Sequence, residues 1–150
     1  CAAKKGETEI LTGGGIKESV MGNIRNSKKS VLVSMFTLTD RDCVRELCRA
    51  AGRRVDVRVM LDGGQEANME SRKRLKECSV AVRSYPGRML HMKMGLFDGE
   101  AAVLGSANWT YGGFSLNREF DCLVRGGSVS RLARVFEDDW KKCAVEGERQ

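Results

Sequence analysis

The chain predicts an α/β fold in which a central mixed β-sheet is covered by helices on both faces, an α/β/α sandwich. Short apolar runs rich in β-branched residues alternate with segments whose apolar residues recur at helical spacing, the pattern of strands separated by helices that cover a sheet. The chain has 150 residues, 41% of them hydrophobic and 31% charged, which is enough for one domain with a real core and short for two. No internal repeat or low-complexity tract interrupts it. Residues 1–150 are therefore expected to form a single domain.

Residues 1–12 are expected to be a flexible N-terminal segment. Gly13-Gly14-Gly15 reads as a flexible turn, because the Lys-Ser/Thr of a phosphate loop and the spacing of a dinucleotide fingerprint are both missing. Ile16, Val20 and Ile24 make one apolar stripe on a helix over Ile16–Asn26. Ser30 to Phe36 is a buried strand. Thr39 or Asp40 can cap a second helix with the stripe Val44, Leu47, Cys48 and Ala51, and Gly52 ends it. Val55, Val57, Val59 and Leu61 alternate with Asp56, Arg58 and Met60 in a strand closed by Asp62-Gly63-Gly64. A charged helix follows near Glu66 to Glu77, then a strand near Ser79 to Ser84 and a turn at Tyr85-Pro86-Gly87, which holds the only proline. Arg88 to Asp98 reads as extended and Ala101 to Leu104 as its hairpin partner across Gly99. Glu119 to Val124 is a last strand. Ser128 to Lys142 is a helix with Val129, Leu132, Phe136 and Trp140 inward.

The net charge of +6, with a pI near 9.2, suits a polyanionic partner such as nucleic acid or an anionic lipid surface. No apolar run approaches the roughly 20 residues of a membrane-spanning helix, and no signal-like segment is visible. The chain starts at Cys1 rather than Met, so a removed upstream anchor or signal stays open. The six cysteines include no C-x-x-C pair. They read as buried free thiols in a reducing compartment such as the cytoplasm or a cytosol-facing organelle surface, with a disulfide framework as the alternative for an exported protein. A zinc site is disfavoured, since four cysteines would have to converge from scattered positions. No cofactor is expected.

The densest chemical information lies between His91 and Asn108. His91, the only histidine, is followed by Lys93, Asp98, Gly105, Ser106 and Asn108 in the spacing H-x-K-x4-D-x6-G-S-x-N. On an extended segment His91 and Lys93 project from one face, while Met92, Met94 and Leu96 face the core. This spacing resembles the HKD motif of the phospholipase D superfamily. "AGRRVDVRVMLD" before the motif, and "GSANWT" followed by "NREFDCLV" after it, resemble the small single-motif nucleases, both the bacterial Nuc type and the Zucchini or mitochondrial type of animals. The resemblance runs from about Ile16 to Trp140. It implies a phospholipase D-like fold and a metal-independent phosphodiesterase. The zinc-binding insertion of the animal members is missing here, which moves weight towards a bacterial-type or divergent enzyme.

The chemistry agrees with that implication. An unprotonated imidazole attacks phosphorus to give a covalent phosphohistidine, and an imidazolium protonates the leaving oxygen. Lys93 can neutralise the non-bridging oxygens, and Asn108 can donate to them from a turn aimed by Ser106. In the resemblance, Glu119 supports a catalytic imidazole, of its own chain or of a partner, and Asp98 is mainly a brace. One nucleophile and one acid need two histidines, and this chain has one. Short members of the superfamily solve this by pairing two chains, which implies a homodimer with one shared site. Arg83, Arg88 and Arg118 are weaker candidates for a phosphate-tracking groove. Trp109 and Tyr111 are either base-stacking residues or core.

The leading expectation is an endonuclease acting on single-stranded DNA or RNA. A phospholipase acting on anionic lipid such as cardiolipin is the alternative; it should show an exposed apolar rim, and the sequence displays none. A nucleic-acid-binding pseudo-enzyme is the third reading, and the intact catalytic set weighs against it.

Overall fold

The computed structural model describes residues 6–145 of the chain. Its centre is an eight-stranded mixed sheet in the order β1-β7-β6-β5-β2-β3-β4-β8. The strands are β1 (Glu7–Thr12), β2 (Ser30–Met35), β3 (Asp56–Asp62), β4 (Ala81–Tyr85), β5 (Lys93–Phe97), β6 (Ala101–Gly105), β7 (Phe120–Arg125) and β8 (Ala144–Val145). The helices are α1 (Gly14–Asn26), α2 (Arg41–Gly52), α3 (Met69–Glu77) and α4 (Gly127–Lys142).

The crossovers through α2 and α3 make β2, β3 and β4 parallel. β5 then returns antiparallel against β2, and β6 and β7 follow as antiparallel neighbours. Alternation along the strands divides the core in two. Val31, Val33, Val57, Val59, Leu61 and Val103 face α1, α2 and α3, together with Ile16, Val20, Ile24 and Leu47. Leu32, Met60, Met94, Leu96 and Ala102 face α4, with Val129, Phe136 and Trp140. The α/β/α sandwich is thus observed, and Met94 and Leu96 face the core as their alternation required.

The caps follow the sequence. Asp40 accepts a hydrogen bond from the Cys43 amide at 2.9 Å and starts α2. Lys17 of α1 reaches both Asp40 and Asp42 at 2.9 Å, tying the first two helices together. Asp98, in the left-handed region with φ 56°, accepts from the amides of Lys28 (3.0 Å), Lys29 (2.7 Å) and Ser30 (3.0 Å). It locks the β5–β6 hairpin to the start of β2.

Three expectations are corrected. Glu7–Thr12 forms β1, paired antiparallel with β7, where a flexible segment was expected; residues 1–5 lie outside the described residues. Extended backbone with strand pairing begins at Lys93, so Arg88 to Met92 belong to the connection from β4. Cys48 and Cys78 are joined in a disulfide between α2 and the end of α3, while Cys43, Cys122 and Cys143 are free. Cys48 and Cys78 face each other only because α2 and α3 pack side by side, and sequence spacing does not report that. Cys1 lies outside the described residues.

Candidate active site

One end of the sheet gathers the motif. β2, β3, β4 and β6 finish there, and β5 and β7 start there. β2 is the strand where parallel pairing on one side meets antiparallel pairing on the other. The backbone groups at such strand ends are free to hold loops, and those loops carry the site.

His91 arrives on the connection from β4 to β5, which crosses the ends of β3 and β2. Asp62, the last residue of β3, pins it: its Oδ2 accepts from the Leu90 amide at 2.7 Å and its Oδ1 from the Gly64 amide at 2.9 Å. The Phe36 amide donates to the Met92 carbonyl at 3.0 Å. Clamped on both sides, His91 stands exposed to solvent, its ring tilted 53° against Phe36 at a centroid distance of 4.9 Å. Lys93 is 8% exposed. Its Nζ lies 3.0 and 3.1 Å from the two His91 ring nitrogens, donates to the His91 carbonyl at 2.8 Å, and sits 5.3 Å from the Phe36 centroid. Burial pushes the Lys93 ammonium below the usual lysine value, and the Glu119 carboxylate opposes that shift.

The loop after β6 supplies the remaining groups. Asn108 Oδ1 accepts from the Thr37 amide at 3.1 Å, which orients the side chain and leaves its NH₂ as a donor. Ser106 donates its hydroxyl to Glu119, and Asn117 donates to the other Glu119 oxygen at 3.2 Å. Glu119 is therefore engaged by Ser106 and Asn117, while the ring nitrogens of His91 in the same chain face Lys93. Asp98 lies at the hairpin turn at the opposite end of β5, where it accepts from the Lys28, Lys29 and Ser30 amides. Burial works to raise Asp98, but hydrogen bonds from the three amides prevail and hold the carboxyl below its ordinary range.

Three anchoring residues carry no motif signal. Asp62 is one. Asn68, fully buried, accepts from the Leu38 amide at 2.9 Å and donates to the Phe36 carbonyl at 3.0 Å, fixing the loop that touches His91 and Asn108. Asp121, also buried, accepts from the Ala107 amide at 3.1 Å and braces the turn between Ser106 and Asn108. Burial raises the Asp121 carboxyl against the pull of the backbone amides. Gly105 is bare for this reason: a Cβ there would collide with Asp121 Oδ1 and the Phe120 carbonyl. For Asp62 and Asp121 the only hint in the sequence is a polar residue at the end or start of an apolar strand, and Asn68, in a short helical turn before α3, carries none.

The weaker candidates separate. Trp109 is 1% exposed and packs in the core, its carbonyl accepting from the Thr39 and Asp40 amides at 2.9 Å, so it does not line a substrate surface. Arg83 is committed to the end of α4: it donates to the Trp140 carbonyl at 3.0 Å and stacks on that ring at 4.3 Å. Arg88 and Arg118 are exposed beside the site. Among the described residues, no three His, Cys, Asp or Glu side chains converge as a metal-ligand group.

Several large apolar side chains are exposed, which the sequence reading did not single out. Met69, Met89, Tyr111, Leu116 and Phe120 are all exposed, and each lies in or next to a segment at the His91 end of the sheet. Tyr111 and Leu116 belong to a π-helical turn over Gly112–Leu116 and its cap.

The family described as "Cardiolipin synthase, PLD-like domain" matches residues 20–140. The chain is similar to the cardiolipin synthase of Geobacillus kaustophilus, with 28% identity over 155 residues, covering 94% of this chain and 31% of that protein. The chain thus spans under a third of the length of that curated relative. Among solved structures it is similar to NucT from Helicobacter pylori, with TM-score 0.88 and 18% identity, covering 94% of this chain and 99% of that one. It is also similar to Nuc, a phospholipase D family member from Salmonella typhimurium, with TM-score 0.84 and 20% identity, covering 92% and 97%. These likenesses establish the shared fold.

Proposed function

This chain belongs to the phospholipase D superfamily and holds the residues of a phosphodiesterase; we propose that it is a metal-independent endonuclease for single-stranded DNA or RNA, working through a phosphohistidine at a homodimer interface. The observation that carries this reading is the exposed His91 ring with Lys93 at 3.0 Å, on a clamped segment beside Asn108.

A ring nitrogen of His91 attacks phosphorus and forms a P–N bond while the P–O bond to the leaving nucleotide breaks. The imidazolium of a second His91, from a partner chain, gives its proton to the departing oxygen. That now neutral imidazole takes a proton from water as the water attacks, the P–N bond breaks, and both rings return to their starting states. Lys93 and the Asn108 amide hold the non-bridging oxygens as charge builds on them. In this reading Glu119, hydrogen-bonded by Ser106 and Asn117, supports the imidazole of the partner. Exposed Met89, Tyr111, Leu116 and Phe120 offer such a dimer apolar surface to bury.

A phospholipase acting on anionic lipid is the second reading. It is favoured by the same exposed apolar residues and by the likeness to cardiolipin synthases. The nuclease reading is preferred because Nuc and NucT are covered almost end to end by this chain. The deciding experiment is cleavage in EDTA of single-stranded DNA, single-stranded RNA and cardiolipin vesicles, wild type against His91→Ala. Chelation-resistant, His91-dependent nucleic-acid cleavage is expected; lipid turnover with nucleic acid untouched refutes the nuclease.

A further inference from the structure

The connection that delivers His91 also encloses space that this chemistry leaves unused. β4 ends at Tyr85, and the chain turns through Pro86 and Gly87 (φ 84°) before crossing back over β3. Between this turn and the corner after β3 lies a hollow of about 600 Å³, lined by Asp62, Gly63, Ser84, Tyr85, Arg88 and Met89 among others. Its floor is built. Asp62 is held by the Gly64 and Leu90 amides, and Arg72 donates to Ser84 Oγ and to the Asp62 carbonyl, each at 2.8 Å. Its rim is open: Met89 is 63% exposed, and Arg88 is exposed with no hydrogen bond or ion pair among the described residues.

Gly63 adds an independent observation. A Cβ there would make only ordinary contacts, 3.6 Å from Ser84 Cβ and 3.8 Å from the Tyr85 carbonyl, and its backbone is outside the left-handed region. The fold does not demand glycine at this position. Bareness there keeps the hollow open.

We propose that this hollow is the subsite for the nucleotide next to the scissile phosphate, with the base against Tyr85 and Met89 and the following phosphate on Arg88. Met89 lies just upstream of His91, and two residues of chain span at most about 7 Å, so the hollow adjoins the attacked phosphorus. Ser106, Asn108 and Glu119 occupy the β6–β7 side of His91, which leaves the β3–β4 side for the continuing strand. A base has flat apolar faces and polar edges, and so matches an aromatic and thioether wall over a hydrogen-bonded floor. An acyl chain would need an apolar floor, and here the floor holds a carboxylate and a hydroxyl. The proposal rests on the nuclease reading.

The test compares purified wild type, Gly63→Leu, Arg88→Ala and Arg131→Ala on a single-stranded oligonucleotide and on bis(p-nitrophenyl) phosphate. Gly63→Leu, which plugs the hollow, should lower the ratio of kcat/KM for oligonucleotide over the small diester by about tenfold, the size of a lost charge-assisted or stacking contact. Arg88→Ala should lower the same ratio and reduce the salt slope of log kcat/KM by about 0.7, one phosphate contact on a single strand. Arg131→Ala removes the same charge from the exposed part of α4 far from His91 and should keep the wild-type slope. A wild-type salt slope in Arg88→Ala, or a wild-type ratio in Gly63→Leu, overturns the subsite. Small-diester hydrolysis that needs His91, with no nucleic acid cut by wild type, overturns the nuclease reading instead.

Discussion

Asn68→Ala should damage stability and turnover together, because one buried amide holds the loop on which both His91 and Asn108 depend. The substitution strips the Leu38 amide of its acceptor and the Phe36 carbonyl of its donor. A buried unsatisfied amide costs roughly 2 kcal/mol and a part-buried carbonyl roughly 1, together about 3 kcal/mol. With a urea m-value of about 2 kcal/mol/M, the unfolding midpoint should fall by about 1.5 M. The loop it frees carries Phe36, against which His91 packs, and the Thr37 amide that orients Asn108. At a temperature where both proteins are folded, kcat for bis(p-nitrophenyl) phosphate should drop by about 10- to 100-fold, as for loss of a group that orients a reacting side chain. The measurements are urea unfolding followed by circular dichroism and steady-state kinetics. A midpoint within about 0.3 M of wild type would refute the energetic reasoning, and a large midpoint shift with unchanged kcat would refute the positioning role.

Other perturbations test other parts of the structure. The Cys48–Cys78 bridge spans 30 residues, so Cys48→Ser with Cys78→Ser should cost about 3.6 kcal/mol by chain entropy; urea unfolding with and without dithiothreitol checks it, and equal midpoints sink it. Burial lowers the Lys93 ammonium, so its proton is lost at a lower pH than that of an exposed lysine. Lys93→Arg, whose guanidinium stays charged, should move the alkaline limb of the kcat profile to higher pH, and limbs at the same pH would remove Lys93 as its source. In the folding balance, the penalty on the charged Lys93 is present below its folded value and is relieved as pH rises towards the ordinary lysine value. Gly105→Ala forces a Cβ against Asp121 and the Phe120 backbone and should cost about 2–3 kcal/mol; a calorimetric melt that does not move would show that the turn can shift.

The repeating parts of the fold were legible because they report on burial. Ile16, Val20 and Ile24, or Val57, Val59 and Leu61, show a face that meets the core whatever the topology. β1 escaped because only Leu11 of its six residues is buried, so its pattern carries little hydrophobic signal. His91, Lys93 and Asn108 were legible because reaction chemistry constrains both their type and their spacing. Asp62, Asn68 and Asp121 were not, since each acts on a backbone amide brought near by a crossing loop. Trp109 directly follows the motif and looks available, yet the parallel bridge between Leu38 and Trp109 draws it into the core.

The two borders of the sheet have a consequence for assembly. β1 is a full-length edge strand, but Glu7 and Glu9 project from it exposed, and like charges brought side by side repel an incoming strand. Among the described residues the other border is β8, a strand of two residues that gives an incoming neighbour little to pair with. Continuous backbone pairing from copy to copy is therefore discouraged at both borders, and so is open-ended fibre growth. A contact between copies built on side chains instead could be altered one residue at a time without disturbing the ladder of hydrogen bonds beneath.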